Sequence, residues 1–105
     1  MSIIRQGDVA LVRVKAIPAD AVEQAAPQDR LVLQYGEVTH HAHAFYDDSH
    51  NVKLYVAHGG ARYLHVTAPA DLKHEEHSTA RVGVGKYLLP TQMEYTPKEL
   101  VRVTD

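Results

Sequence analysis

The sequence predicts an all-β domain, a small antiparallel β-barrel or sandwich with at most one or two short helical turns. Short runs rich in valine, leucine and tyrosine recur about every 8 to 12 residues, which is the spacing of strands in such folds. Glycine, proline, asparagine and aspartate gather between the runs, where turns need them. No stretch keeps an apolar face at helical spacing for the length of an ordinary helix. At 105 residues the chain is long enough for one hydrophobic core and too short for two, so residues 1–105 are expected to form a single β domain.

The first strand falls in "DVALVRVKAI", residues 8 to 17, where Val12, Val14 and Ala16 alternate with Arg13 and Lys15 and suggest one buried face. "PADAVEQAAPQ" follows between Pro18 and Pro27, and Asp20 with Glu23 resembles a capping pair for one or two helical turns within a connection. "RLVLQY" (30 to 35) reads as a strand, Gly36 interrupts it, "VTHHAHAFY" (38 to 46) reads as the next, and "DDSHN" turns the chain. "VKLYVA" (52 to 57) and "RYLHVTA" (62 to 68) flank "HGG", whose glycines reach positive φ without steric penalty, and so predict a hairpin. After Pro69, "ADLKHEEHS" reads as a strand end followed by a turn or loop. "ARVGVGKYLL" and "TQMEY" are further strands around Pro90, and Thr96, Pro97 and Glu99 can begin a single helical turn.

Composition narrows the function classes. Apolar residues make up 45% and charged residues 23%, ordinary for a globular domain and far from the signature of disorder. A formal charge of -2 and a sequence pI near 6.4 give no strong field for nucleic acid or an anionic membrane, so neither is an expected partner. Cysteine is absent, which removes disulfides, thiolate metal sites and thiol nucleophiles together. Histidine and carboxylate must therefore carry any metal chemistry. The first residues lack the apolar core of a signal peptide and nowhere do about eighteen apolar residues run together, so the cytoplasm is the simplest expected address.

Eight histidines are present, and five of them fall in two clusters, "GEVTHHAHAF" at 36 to 45 and "LKHEEHS" at 72 to 78. On a strand, residues two apart share a face with Cα atoms about 6.5 to 7 Å apart, so His41 and His43 can lean toward one ion. His40 falls on the opposite face with Val38, Ala42, Ala44 and Tyr46, whereas Thr39 and Phe45 accompany the pair. His74 and His77 stand three apart, which brings both side chains to one side of a tight turn. Two imidazoles from each cluster, or three with Glu75 or Glu76, would make a four-ligand or open three-ligand site. The string His-Glu-Glu-His is one residue short of the zincin spacing, in which two ligands stand four apart on a helix. The bland alternative is that His41 and His43 are solvated strand residues, as His50 and His58 are expected to be on their turns.

Three resemblances follow from these motifs. "HVTA" (65 to 68) and "HSTA" (77 to 80) resemble the paired His-x-Thr-x units of two-histidine phosphoesterases, which would make His65 and His77 an acid–base pair; the likeness covers eight residues. Gly36, His41, His43 and a later acid such as Asp47 look like a cupin, a β-barrel that holds a divalent metal with histidines and often a glutamate. In a cupin, however, the final histidine follows a Pro-x-Gly turn, whereas His74 and His77 here precede "GVGKYLLP". The arrangement "RQGDVALVRV", "GEVTHHAHAF", "HEEH" and "QMEYTPKE" looks like a group of small uncharacterised bacterial and phage proteins, and marks His41, His43, His74, Glu75, Glu76, His77, Gln92 and Glu94.

The expectation is thus a β-barrel that binds one divalent ion (zinc, nickel, iron or manganese) at its mouth through His41, His43 and one or both of His74 and His77. Glu75 or Glu76 would serve as a further ligand or as an acid–base group beside a bound water. An open coordination position would support metal-assisted hydrolysis or lyase chemistry on a small molecule. The competing expectation is a non-enzymatic interaction module with a structural metal, or a homodimer contact lined by histidines.

Overall fold

The computed structural model describes residues 3–25, 30–35, 41–46 and 48–90. Among these, strands β1 (Ile3–Gln6), β2 (Val9–Val14), β3 (Val22–Gln24), β4 (Leu31–Tyr35), β5 (Ala42–Phe45), β6 (Val52–Val56), β7 (Arg62–Val66), β8 (Ala70–Leu72), β9 (Ala80–Val82) and β10 (Gly85–Leu89) follow one another, with one 3-10 turn at Ser49–Asn51. Six strands form an antiparallel sheet in the order β1-β2-β10-β7-β6-β3. The hairpins β4–β5 and β8–β9 form a second layer. They are stitched together where Ala44 and Lys73 exchange backbone hydrogen bonds of 3.0 and 2.9 Å.

The core lies between the layers. From the large sheet come Val9, Leu11, Val52, Leu64, Val66, Tyr87 and Leu89, and from the hairpins Leu31, Leu33, Phe45, Ala70, Leu72 and Val82. Apolar area buried on two facing sheets is the main stabilising term of such a fold. The architecture is therefore a sandwich and not a closed barrel: among the described strands, the large sheet ends at β1 on one side and β3 on the other without pairing across.

The hairpin of β6 and β7 forms as its alternation and "HGG" turn predict, with Gly59 and Gly60 at φ +97° and +96°. Leu64 and Val66 are fully buried and His65 is half-buried on the other face. Three expectations are corrected. No helical turn forms between Asp20 and Glu23: after a turn closed by Ala21 N–H on Pro18 O (3.0 Å), Val22–Gln24 runs extended along β6. That stretch has no apolar stripe for a helix to bury, and the free edge of β6 satisfies its backbone. The buried side chains of β2 are Val9, Ala10 and Leu11, whereas Val12 and Val14 are only half-buried and Ala16 is exposed. A strand before it, β1, also escapes the hydrophobic pattern; it pairs with β2 through the two-residue loop Gly7-Asp8, with Gly7 at φ +59°. The expected elements at 91 to 95 and 96 to 99, and residues 38 to 40 including His40, lie outside the described residues.

Candidate functional site

The two histidine clusters meet because β5 runs antiparallel to the end of β8. Ala44 opposes Lys73. Continuing that register one residue at a time sets His43 beside His74, Ala42 beside Glu75 and His41 beside Glu76. Side-chain contacts follow the same order. The His43 and His74 ring centroids are 4.3 Å apart, Ala42 N–H donates to Glu75 Oε1 at 2.9 Å, and His41 Nδ1 lies 3.7 Å from Glu76 Oε2. His77 closes the group, with its ring 4.6 Å from His74 and 5.9 Å from His43, while His41 packs edge-on against His74 at 5.7 Å. All four histidines singled out in the sequence thus share one cluster. The ligand atoms of His41, His74 and Glu75 lie within 4.8 Å of one another.

A third segment completes the surroundings, the turn Gln6-Gly7-Asp8 between β1 and β2. Gln6 is buried and spans the base of the 73 to 77 loop, its Nε2 donating to Leu72 O at 2.7 Å and to Ser78 O at 2.9 Å. With both amide hydrogens committed, its Oε1 can only accept, and it lies 2.8 Å from His43 Nδ1. His43 therefore donates from Nδ1 and, when neutral, turns the lone pair of Nε2 toward Asp8 Oδ1, 3.5 Å away. His77 rests on Gly7: a Cβ there would stand 2.6 Å from His77 Nε2.

Electrostatics favour a neutral His43 and an ionised Glu75. Burial holds the His43 pKa below its ordinary 6.5; neighbouring His74 and His77 push it the same way, and Asp8 opposes them. Hydrogen bonds from the backbone N–H of Ala42 and of Glu75 itself lower the Glu75 carboxyl, and nearby His41 and His74 add to the effect. The rim is open, since Asp8 and Glu76 side chains are 58% and 65% exposed. Lone pairs and negative charge thus converge at a solvent-facing spot, which suits a cation.

The alternative in which His41 and His43 form a solvated strand face is not what the structure shows. Ala42, His43, Ala44 and Phe45 are all buried, because β5 is covered on both faces and is no solvated edge. His43 is consequently the most enclosed of the group and His41 only partly covered. His50 and His58 are exposed on turns. His65 sits in the large sheet between Lys53 and Lys86 and, among the described residues, makes no ring contact with His77, so the paired phosphoesterase arrangement is not formed. Gln92 and Glu94 lie outside the described residues. Sequence reasoning missed Gln6 and Asp8; the signal was the glycine in "RQGDV", a two-residue hairpin loop between apolar runs.

Gln6→Ala is expected to lower stability by about 1–3 kcal/mol, since it leaves the Leu72 carbonyl and the His43 N–H without their partner in a buried place. Thermal melts of metal-free protein check this, at roughly 4–8 °C per kcal/mol for a domain of this size. An unchanged melting temperature would mean that water takes over the role of the amide.

An all-β sandwich with an imidazole and carboxylate cluster at the seam of its two smaller hairpins is the class that fold and side chains define. The chain belongs to the family of the domain of unknown function DUF8820, whose family model matches residues 5–92 and so spans β2 to β10 and every residue of the cluster. No curated protein and no solved structure matches the chain. Among the described residues, no helix is long and apolar enough to cross a membrane.

Proposed function

We propose that the domain binds a divalent transition-metal ion through His41, His74 and Glu75 and offers that ion to a small molecule from solution. The observation that carries this reading is the convergence of the three ligand atoms within 4.8 Å. Zinc bonds of about 2.0–2.1 Å place tetrahedral donors about 3.4 Å apart, so the side chains need to close by only about 1 Å or slightly more. Binding at His74 sacrifices one hydrogen bond. A neutral imidazole has a single lone pair, and that of His74 Nδ1 now accepts the Glu76 N–H at 3.0 Å. Its loss costs about 0.5–1.5 kcal/mol, small beside the roughly 10–16 kcal/mol typical of structural zinc.

Imidazole and carboxylate donors suit zinc, nickel, iron or manganese. Three protein ligands leave a position for water, and an ion there lowers the pKa of that water toward neutrality. Glu76, exposed and 3.7 Å from His41, is placed to exchange a proton with it. Metal-assisted hydrolysis or a lyase reaction on a small molecule is the chemistry this supports. A closed structural site is the less favoured reading, because the carboxylates face solvent.

The test is metal content and calorimetry on protein purified without a polyhistidine tag. His41→Ala and His74→Ala are expected to weaken binding about 100-fold or more, beyond the effect of losing an outer partner. His50→Ala and His58→Ala, on exposed turns, should leave it unchanged. Equal effects at all four positions, or no binding by the wild type, would overturn the proposal.

A further inference from the structure

We infer that the cluster is built for two divalent ions, the second held by Asp8, His43 and His77 beside the ion at His41, His74 and Glu75. The inference rests on the metal-binding reading above and doubles the number of ions.

Ring geometry divides the histidines into two pairs. Two imidazoles bound to one ion at about 2.1 Å have centroids roughly 5 to 5.5 Å apart. His41 with His74 at 5.7 Å, and His43 with His77 at 5.9 Å, come near that separation. His43 with His74 at 4.3 Å and His74 with His77 at 4.6 Å lie closer than two ligands of one tetrahedral ion and are packed ring against ring. Four imidazoles on a single ion would require six suitable pairs, whereas His41 contacts only the His74 ring among the described residues.

The second place also carries an uncompensated polar contact. Gln6 commits the Nδ1 hydrogen of His43, so neutral Nε2 and Asp8 Oδ1 face one another as two acceptors 3.5 Å apart. A cation between them would satisfy both lone pairs at once. The separation itself matches the edge of a tetrahedron of donors around zinc, about 3.4 Å. Gly7 makes room for His77, the third donor: only a residue without a Cβ lets the His77 ring lie against the turn that carries Asp8. Asp8, Glu75 and Glu76 line the two places with carboxylates, which offset the repulsion between neighbouring dications.

Stoichiometry decides the matter. Untagged, chelator-stripped full chain is titrated with Zn²⁺ by calorimetry, and zinc per chain is measured after gel filtration. The wild type should take up about two equivalents, and Asp8→Asn, His77→Ala, His41→Ala and Glu75→Gln about one each. Asp8 and His77 are exposed, and the amide introduced by Asp8→Asn can still accept the 3.2 Å hydrogen bond from Gln34, so these variants should fold; circular dichroism melts check that they do. Wild type saturating at one equivalent overturns the second ion, and the variants that abolish the remaining uptake then show which ligand set holds it. Two equivalents retained in both Asp8→Asn and His77→Ala overturn it as well. No uptake at all overturns the metal-binding reading along with it.

Discussion

Phe45→Ala is expected to reduce the unfolding free energy by about 3–5 kcal/mol, the range for truncating a fully buried phenylalanine. Phe45 is completely enclosed and sits at the centre of the core, on a strand paired with β4 on one side and bridged to Lys73 on the other. Neighbouring side chains cannot collapse into the vacated volume without shifting β5. A domain of this kind has only about 5–15 kcal/mol in total, so the loss is a large share of its stability. His43 lies two residues away on the same strand and face, and Ala44 between them holds the register that joins β5 to Lys73. The truncation should therefore loosen the histidine cluster as well as the core. Denaturant unfolding measures the first effect, and zinc affinity of the folded fraction the second. A loss under about 1 kcal/mol would mean that Phe45 packs far less tightly than its enclosure implies.

What the sequence discloses here divides along the range of the interactions. The β6–β7 hairpin is legible because alternation and a diglycine turn are local, and both are sufficient to specify it. The histidine clusters are legible as two clusters with metal-ligand spacing. Their meeting depends on the single register of Ala44 against Lys73, which no local pattern reports. Gln6 and Asp8 are harder still. A glutamine reads as a surface residue, and its burial here follows from carbonyls at Leu72 and Ser78, more than sixty residues away in the chain. The strand β5 misleads for a related reason: its alanines suggest one inward face, yet a layer that is covered on both sides buries His43 and Phe45 equally. Side chains that look amphipathic in a strand of four residues cannot reveal how many neighbours the strand will have.

Acidification from about pH 7.5 to about pH 5 should remove the stabilisation conferred by bound zinc and should weaken the metal-free protein to a smaller extent, across the range where imidazole ordinarily titrates. The sign follows from His43. Its folded pKa lies below the ordinary 6.5, so as pH falls the unfolded chain takes up that proton first. The contribution is fully present above 6.5 and is lost as pH drops from 6.5 toward the folded value, at up to about 1.4 kcal/mol per pH unit within that window. Glu75 has the same sign in a lower window: its depressed carboxyl contributes above the ordinary 4.5 and is lost below it, so it adds little before pH 5 is reached. Metal sharpens the dependence, because every imidazole ligand must shed a proton before it binds. Affinity should then fall about tenfold per pH unit for each ligand below its own pKa. At a zinc concentration 100 times the dissociation constant, binding adds about 2.7 kcal/mol to stability at neutral pH, and a fall of two or more decades in affinity removes most of it. Melts with zinc and with chelator, at half-unit steps of pH, measure the difference directly. Carboxylate ligation alone would postpone the loss to near pH 4. Zinc-dependent stabilisation that persists unchanged to pH 5 would therefore exclude His41, His43, His74 and His77 as the principal ligands.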